Sequence, residues 1–231
     1  MLLKKGLLLI VLLAMAPATF AATTYPLTIE NCGVRQTFTQ APQRVVTVGQ
    51  HETELLLALG LEKSVAATSV WFGKLPDSLA DAGKKLPRLA DNSPSFEAVV
   101  GQKPELVLAQ YHWHIGPQGE VGTREQFASL GIKTWISPAD CTDKTVTATS
   151  NADGARSTPF SLAEIKHEVT DLAAIFDVPA RGEQLNRELT ERIQKAQARI
   201  SAKPLKVVFW FSSSRLNGDP WVAGNYGAPA G

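Results

Sequence analysis

The chain has 231 residues, of which 44% are hydrophobic and 19% charged, and its formal net charge is +1 at neutral pH. A chain of this length buries a substantial core without depending on disulfides or metal ions for folding. The near-neutral charge and the lack of any run of lysine or arginine exclude a surface built to bind the phosphate backbone of nucleic acids.

The first 21 residues have the pattern of a secretory signal peptide. Lys4 and Lys5 precede an apolar stretch over residues 6–16, and cleavage is expected after Ala21. The apolar stretch is too short to cross a bilayer as a helix. Because the chain has no cysteine at the first mature position, we expect a soluble periplasmic protein rather than a lipoprotein.

Cys32 and Cys141 are the two cysteines of the chain. In the oxidising compartment that a signal peptide implies, we expect them to form a disulfide, and the alternative is a pair of buried thiols. Neither cysteine has a CxxC-type neighbour or a nearby histidine, so a catalytic thiol and a metal site are disfavoured.

The next part of the chain predicts a β-hairpin followed by alternating strands and helices. Residues 25–29 and 34–38 alternate in polarity around a turn at 31–33. Apolar runs predict strands over 45–48, 64–68, 106–109 and 132–136, and helical patterns predict helices over 52–59, 95–102 and 123–130. This alternation predicts an α/β fold with a mostly parallel sheet that is covered by helices on both faces.

Two capping boxes mark further helix starts, at Thr123 with Gln126 and at Ser161 with Glu164. The second predicts a helix that ends before Pro179 and whose buried side chains are Leu162, Ile165, Val169, Leu172 and Phe176. A longer helix over 181–200 has a single apolar stripe formed by Leu185, Leu189, Ile193 and Ile200. Residues 141–159 predict a surface loop, and residues 206–211 predict another strand, for which the sequence offers no sheet partner.

Three loops that follow predicted strands carry aromatic, histidine and glutamine side chains. In an open parallel sheet, the loops at the carboxyl ends of the strands meet at one edge, where such folds bind their ligands. The candidate ligand-binding residues of these loops are Gln50, His51, Trp71, Phe72, Tyr111, His112, Trp113 and His114.

Three segments, APQRVVTVG, TELLLALGLEKSVAAT and FEAVVGQKPELVLA, precede the long helix in that order. In this arrangement the chain resembles the periplasmic substrate-binding proteins of ABC importers for ferric siderophores, haem and cobalamin. The resemblance implies two α/β lobes that are joined by one long helix, with a ligand cleft between them. It divides the chain into a signal peptide (1–21), an N-terminal lobe (22–160), a helical connector (161–203) and the start of a second lobe (204–231), most of which would lie beyond Gly231.

The function that this resemblance implies is that of a monomeric receptor without a cofactor or catalytic residues. It would capture an iron chelate such as a ferric siderophore in the periplasm and deliver it to an inner-membrane ABC permease. Glu97 stands where the family carries a first-lobe glutamate that engages arginines of the permease, although a carboxylate at this point also favours the helix dipole. The candidates for the opposite wall of the cleft are Arg215, Asp219, Trp221 and Tyr226.

Four alternatives stay open at this point. Haem or cobalamin could replace the siderophore, and a bare divalent metal ion could be bound by His51, His112 and His114, because alternating histidines point to one side of an extended segment. An enzyme such as a hydrolase is disfavoured by the lack of GxSxG, GxxxxGK[ST] and HExxH motifs. The chain alone could also bind nothing tightly, because half of a cleft offers half of the contacts. His167, between Lys166 and Glu168, is expected at the surface.

Overall fold

The computed structural model describes residues 22–145 and 158–200 with their side chains, and residues 155–156, 210–213 and 220–222 as backbone strands. The predicted signal peptide and the candidate residues Arg215, Asp219 and Tyr226 lie outside the described residues, as does the side chain of Trp221. Within the described part of the chain, no helix combines the length and the apolarity that crossing a membrane requires.

The predicted N-terminal hairpin is formed by β1 (Leu27–Asn31) and β2 (Val34–Phe38), which pair antiparallel. A disulfide joins Cys32 in the hairpin turn to Cys141, with a Cα–Cα distance of 5.7 Å. The predicted pairing of the two cysteines is therefore present, and it links segments that are 109 residues apart.

A five-stranded parallel sheet lies at the centre of the structure. Its strands are β3 (Val45–Val48), β4 (Val65–Ser69), β5 (Arg88–Ala90), β6 (Leu106–Ala109) and β7 (Lys133–Ile136). They lie side by side in the order β5, β4, β3, β6, β7, and every neighbouring pair is parallel. The order reverses between β3 and β6, so the loops that follow these two strands diverge at this point. Such a switch point is where open α/β sheets bind ligands.

Helices cover both faces of the sheet, as predicted. They are α1 (Gln50–Ala58), α2 (Asp77–Gly83), α3 (Phe96–Val100), α4 (His112–Ile115), α5 (Arg124–Ser129), α6 (Pro138–Cys141), α7 (Leu162–Ile175) and α8 (Pro179–Gln197), with a 3-10 turn at Glu62–Ser64. Leu56 of α1 and Leu172 of α7 belong to the core on one face, and Val99 of α3 and Phe127 of α5 belong to the core on the other. The strand residues alternate between these two cores.

Details of the α7 and α8 predictions were wrong. Leu162 is exposed because it is the first residue of α7, whose fully buried residues begin only at Glu168. The Ser161 hydroxyl accepts from the Ala163 amide rather than from that of Glu164, so this cap is not a capping box, whereas the box at Thr123 is complete. Ile200 is exposed because it lies beyond the end of α8.

Two short antiparallel pairs complete the described structure. The strands β8 (Lys144–Thr145) and β9 (Ala155–Arg156) pair within the segment predicted as a loop. The strand predicted over 206–211 is described as β10 (Trp210–Ser213), and it pairs with β11 (Pro220–Val222). The prediction that this strand lacks a sheet partner was therefore wrong.

Candidate functional site

The switch point of the sheet is formed by Gly49, which follows β3, and Gln110, which follows β6. The Gly49 amide donates to the Ser69 carbonyl at 3.0 Å, and the Gln110 amide donates to the Val48 carbonyl at 3.0 Å. Gly49 has a φ of 145°, and a Cβ atom at this position would lie 2.3 Å from the Cβ of Gln110. Only glycine allows the two loops to approach this closely.

An open depression of about 380 Å³ lies at this edge of the sheet. Its lining residues are Gln50, His51, Glu54, Phe72, Gly73 and Gln110. The Phe72 ring is 67% exposed and meets the Tyr111 ring edge-on at a centroid distance of 6.2 Å. Tyr111 in turn contacts the Trp113 ring at 5.1 Å. The depression therefore continues into a row of flat aromatic side chains, which offer contact area at a low cost in side-chain entropy.

Gln50 lines the depression and also fixes one of its walls. Its Oε1 accepts from the amides of Phe72 and Gly73 at 2.8 and 2.9 Å, and its Nε2 donates to Glu54 at 2.8 Å. Since these bonds occupy its amide group, Gln50 holds the Phe72 loop in place.

His51 lies between the depression and the protein interior. Its side chain is 31% exposed, and its Nε2 lies 2.9 Å from the Oε2 of Glu168 on α7. Burial lowers the pKa of His51, but the hydrogen bond to Glu168 and the charge of that carboxylate outweigh burial, so the pKa is raised above its ordinary value. The imidazole is therefore held by α7 while it faces the depression.

Two buried carboxyl groups lie behind His51. Glu168 accepts from Trp135 Nε1 at 3.1 Å and from Ser137 Oγ at 3.0 Å. Glu52, the residue after His51, is completely buried, and burial together with the charge of Glu168 raises its pKa well above the ordinary value. One ligating atom from each of His51, Glu52 and Glu168 lies within 4.8 Å of the others.

The third loop differs from the extended segment that the sequence suggested. His112 and His114 belong to α4, and residues two apart in a helix point in nearly opposite directions. His112 donates its backbone N–H to Asp140 at 2.7 Å, and burial lowers the pKa of its side chain. His114 is fully buried and stacks on Trp113 at 4.5 Å, and burial lowers its pKa to about 4. Among the described residues, neither joins His51 in a group able to hold a metal ion.

The remaining predicted residues do not line the depression. The Arg88 guanidinium lies over the Trp71 ring at 4.3 Å, so one face of this ring is occupied. Glu97 is exposed on α3. His167 has a side chain that is 64% exposed, as predicted, and pairs with Asp171 at 3.2 Å.

The sequence analysis missed five residues of the site, namely Glu52, Glu54, Gly73, Gln110 and Glu168. Gln110 directly follows β6, so the rule that selected Tyr111 also applied to it. Glu168 lies beside Val169 and four residues before Leu172, on the apolar face of α7. A carboxylate on an apolar helix face was the available signal.

Comparisons with known proteins agree with this architecture. A family model described as periplasmic binding protein matches residues 45–230. The vitamin B12-binding protein of Pectobacterium carotovorum is 33% identical over 93 residues, which cover 39% of this chain and 30% of that protein.

Two solved structures show the same fold. A periplasmic binding protein from Veillonella parvula superposes with a TM-score of 0.67 at 21% identity, over 85% of this chain and 60% of that one. An ABC-type Fe3+-hydroxamate transport system protein from Saccharomonospora viridis gives 0.60 at 24% identity, over 76% and 57%. The chain thus spans less than two thirds of each of these three proteins. It belongs to the periplasmic binding protein family.

Proposed function

We propose that the chain is the solute-binding component of an ABC importer, which captures a bulky metal chelate in the periplasm and delivers it to the inner-membrane permease. The observation that carries this proposal is the open depression at the switch point of the sheet, with the exposed Phe72 ring on one side and His51 and Gln110 on the other. An open surface that combines an exposed aromatic ring with several polar side chains suits a large ligand that must be released again.

The charge of the depression narrows the class of chelate. Within the described part of the chain, none of its lining residues is lysine or arginine, and Glu54 contributes a carboxylate. An anionic ligand would need a cation here to compensate for its desolvation. A ferric tris-hydroxamate has no net charge at its iron centre, whereas a ferric tris-catecholate is strongly anionic. We therefore propose a ferric siderophore of the neutral hydroxamate class as the ligand.

Cobalamin is the second candidate, and a specific observation favours it. The matching segment of the Pectobacterium protein, whose name describes vitamin B12 binding, is 33% identical to this chain. A corrin ring is large and flat and bears neutral amide side chains, so it also suits Phe72 and the neighbouring aromatic row. Haem is less suitable because its two propionates would meet no lysine or arginine among the lining residues of the described depression.

A ligand-induced melting screen of the full chain tests the proposal. At a ligand concentration of one hundred times Kd, binding stabilises a protein by about 2.7 kcal/mol. For a chain of this size, that corresponds to a rise in Tm of about 5–10 °C. We expect such a shift with a ferric hydroxamate or with cobalamin and none with a ferric catecholate. A shift with the catecholate alone, or with none of the chelates, would contradict the proposal.

We further propose that Glu97 contacts the permease. Its carboxylate is exposed on α3, a helix capped by the Ser95 hydroxyl, which accepts from the Ala98 amide at 3.2 Å. In a permease ATPase assay, Glu97→Ala should reduce stimulation by the loaded protein several-fold without changing chelate affinity. The control is Glu62→Ala, which removes an exposed carboxylate from another part of the surface. Equal activity of the two variants would refute the contact.

A further inference from the structure

The cluster formed by His51, Glu52 and Glu168, which we call the His51 cluster, is not explained by chelate binding. Glu52 and Glu168 are completely buried, and only His51 reaches the depression. Two carboxyl groups in a protein interior need a proton or a cation, because an uncompensated buried charge costs several kcal/mol. Among the ion pairs of the described residues, none joins a lysine or an arginine to Glu52 or Glu168.

The hydrogen bonds within the cluster are unevenly distributed. Glu168 is held by Trp135 and Ser137, and His51 is held by Glu168. Both carboxyl oxygens of Glu52 are buried without a hydrogen-bond donor. The nearby polar group is the carboxylate of Glu168, to which Glu52 can bond only while it carries a proton. A bound cation would replace that proton and satisfy both acids.

The spacing of the three side chains fits a divalent ion. Their ligating atoms lie within 4.8 Å of one another. Two ligands of a zinc ion, each about 2.0–2.1 Å from the metal, are separated by at most about 4.2 Å. Small side-chain rotations therefore bring all three atoms into the coordination shell.

We propose that His51, Glu52 and Glu168 form a binding site for a divalent transition-metal ion, with Zn2+ as the best match. One imidazole and two carboxylates are ligands that zinc accepts, and the two negative charges balance the charge of the ion. Trp135 and Ser137 donate to the Glu168 carboxylate and so hold its orientation, as the hydrogen-bond partners of metal ligands commonly do. A bound ion would tie α1 to α7, and the partly exposed His51 would connect the site to the depression.

Isothermal titration of Zn2+ into the full chain, after treatment with EDTA and dialysis, tests this proposal. We expect one ion per chain for the wild-type protein and at least a tenfold loss of affinity for Glu52→Gln, which keeps the shape of the side chain but cannot ionise. The matched control is His167→Ala, because His167 also pairs with a carboxylate on α7 but at the exposed surface. Its Zn2+ affinity should equal that of the wild type.

A second measurement on the unmodified chain covers the case in which Glu52→Gln does not fold. In a long-range 1H–15N NMR spectrum of the histidine rings, Zn2+ should shift the Nε2 resonance of His51 and leave those of His112, His114 and His167 unchanged. Absence of Zn2+ binding would overturn the proposal, as would shifts that are confined to the other histidines or an unchanged affinity in a folded Glu52→Gln variant. Because the melting screen can be run in EDTA, failure of the zinc site and failure of chelate binding are distinguishable.

Discussion

Two buried polar clusters flank the same sheet, and they differ in how their charge is compensated. In the first, which we call the Arg124 cluster, the guanidinium of Arg124 donates to the backbone carbonyl and Oδ1 of Asn31 at 2.9 and 3.1 Å, and to Oγ1 and the backbone carbonyl of Thr134 at 3.0 and 3.1 Å. In the His51 cluster, two carboxyl groups share one histidine, and Glu52 has no donor.

The difference separates a structural role from a functional one. The Arg124 guanidinium makes four hydrogen bonds, and the cluster joins the hairpin to the edge strand β7, so a structural role explains its burial. The His51 cluster lacks positive charge and opens toward a depression. Buried groups that are incompletely satisfied and adjoin a cavity are where perturbed pKa values indicate function.

The largest expected effect lies beside the Arg124 cluster, at the disulfide that follows Asn31. Replacing both cysteines in Cys32→Ser/Cys141→Ser opens a loop of 109 residues. Loss of this constraint on the unfolded chain should lower the free energy of unfolding by about 4 kcal/mol, measured by urea denaturation without reductant. A loss below about 1 kcal/mol would show that the disulfide contributes little to the stability of the fold.

Removing the cation of the Arg124 cluster should have the next largest effect. Arg124→Leu removes one donor from each of four acceptors on Asn31 and Thr134, although Asn31 Oδ1 keeps the Ile136 amide and the Thr134 carbonyl keeps the Gln36 amide group. We expect a loss of about 3 kcal/mol in urea denaturation. Arg187→Ala is the control, because Arg187 is exposed on α8, and it should change stability by less than about 0.5 kcal/mol. Similar losses in the two variants would contradict the structural role of Arg124.

The His51 cluster should instead make the free energy of unfolding depend on pH. Folding raises the pKa of Glu52, so its carboxyl group binds a proton more tightly in the folded protein than in the unfolded chain. In EDTA, this stabilisation is complete below the ordinary carboxyl pKa of the unfolded chain and is lost as the pH rises toward and through the raised pKa of the folded protein. Glu52→Gln cannot ionise, so its stability relative to wild type should increase between pH 4 and pH 8. The slope is at most about 1.4 kcal/mol per pH unit.

Urea denaturation of both proteins across this pH range measures that difference. The variant Glu62→Gln, which changes an exposed carboxylate, serves as the control and should stay within about 0.5 kcal/mol of wild type. A difference between Glu52→Gln and wild type that is independent of pH would mean that folding does not raise the pKa of Glu52.

The smallest effect on stability is expected in the depression itself. Phe72→Ala should lower the affinity for the chelate found in the melting screen about tenfold, because an aromatic contact of about 1.4 kcal/mol is lost. Its stability should stay within about 0.5 kcal/mol of wild type, since the ring is exposed. Leu130→Ala, an exposed apolar residue elsewhere on the surface, should leave affinity unchanged in calorimetry. Equal affinities of the two variants would place the ligand elsewhere.

The sequence predicted the fold correctly where a strand is buried along its whole length and is therefore uniformly apolar. The strands β3 and β6 are buried along their whole length, and both were predicted with correct bounds. The helix α2 was missed because it has no fully buried residue and therefore no clear apolar stripe. The single turn of α4 was taken as extended because four residues are too few to show a helical period.

The sequence predicted only part of the site, because local patterns do not show contacts between residues that are distant in the chain. The residues His51 and Phe72 follow strands, and the topology of the sheet predicts the edge at which they meet. The partner of His51 is Glu168, which lies 117 residues further along the chain. No local pattern connects the two, because the contact exists only once α7 has packed against α1.

Hydrogen–deuterium exchange with and without the chelate tests the central claim most directly, namely that the carboxyl edge of the sheet binds the ligand. We predict slower exchange in segments 49–54, 72–73 and 110–114. We predict no change in segments 39–44, 104–105 and 130–132, which precede β3, β6 and β7 at the opposite edge. Protection at that opposite edge alone, or no protection at either edge with bound chelate, would contradict the account.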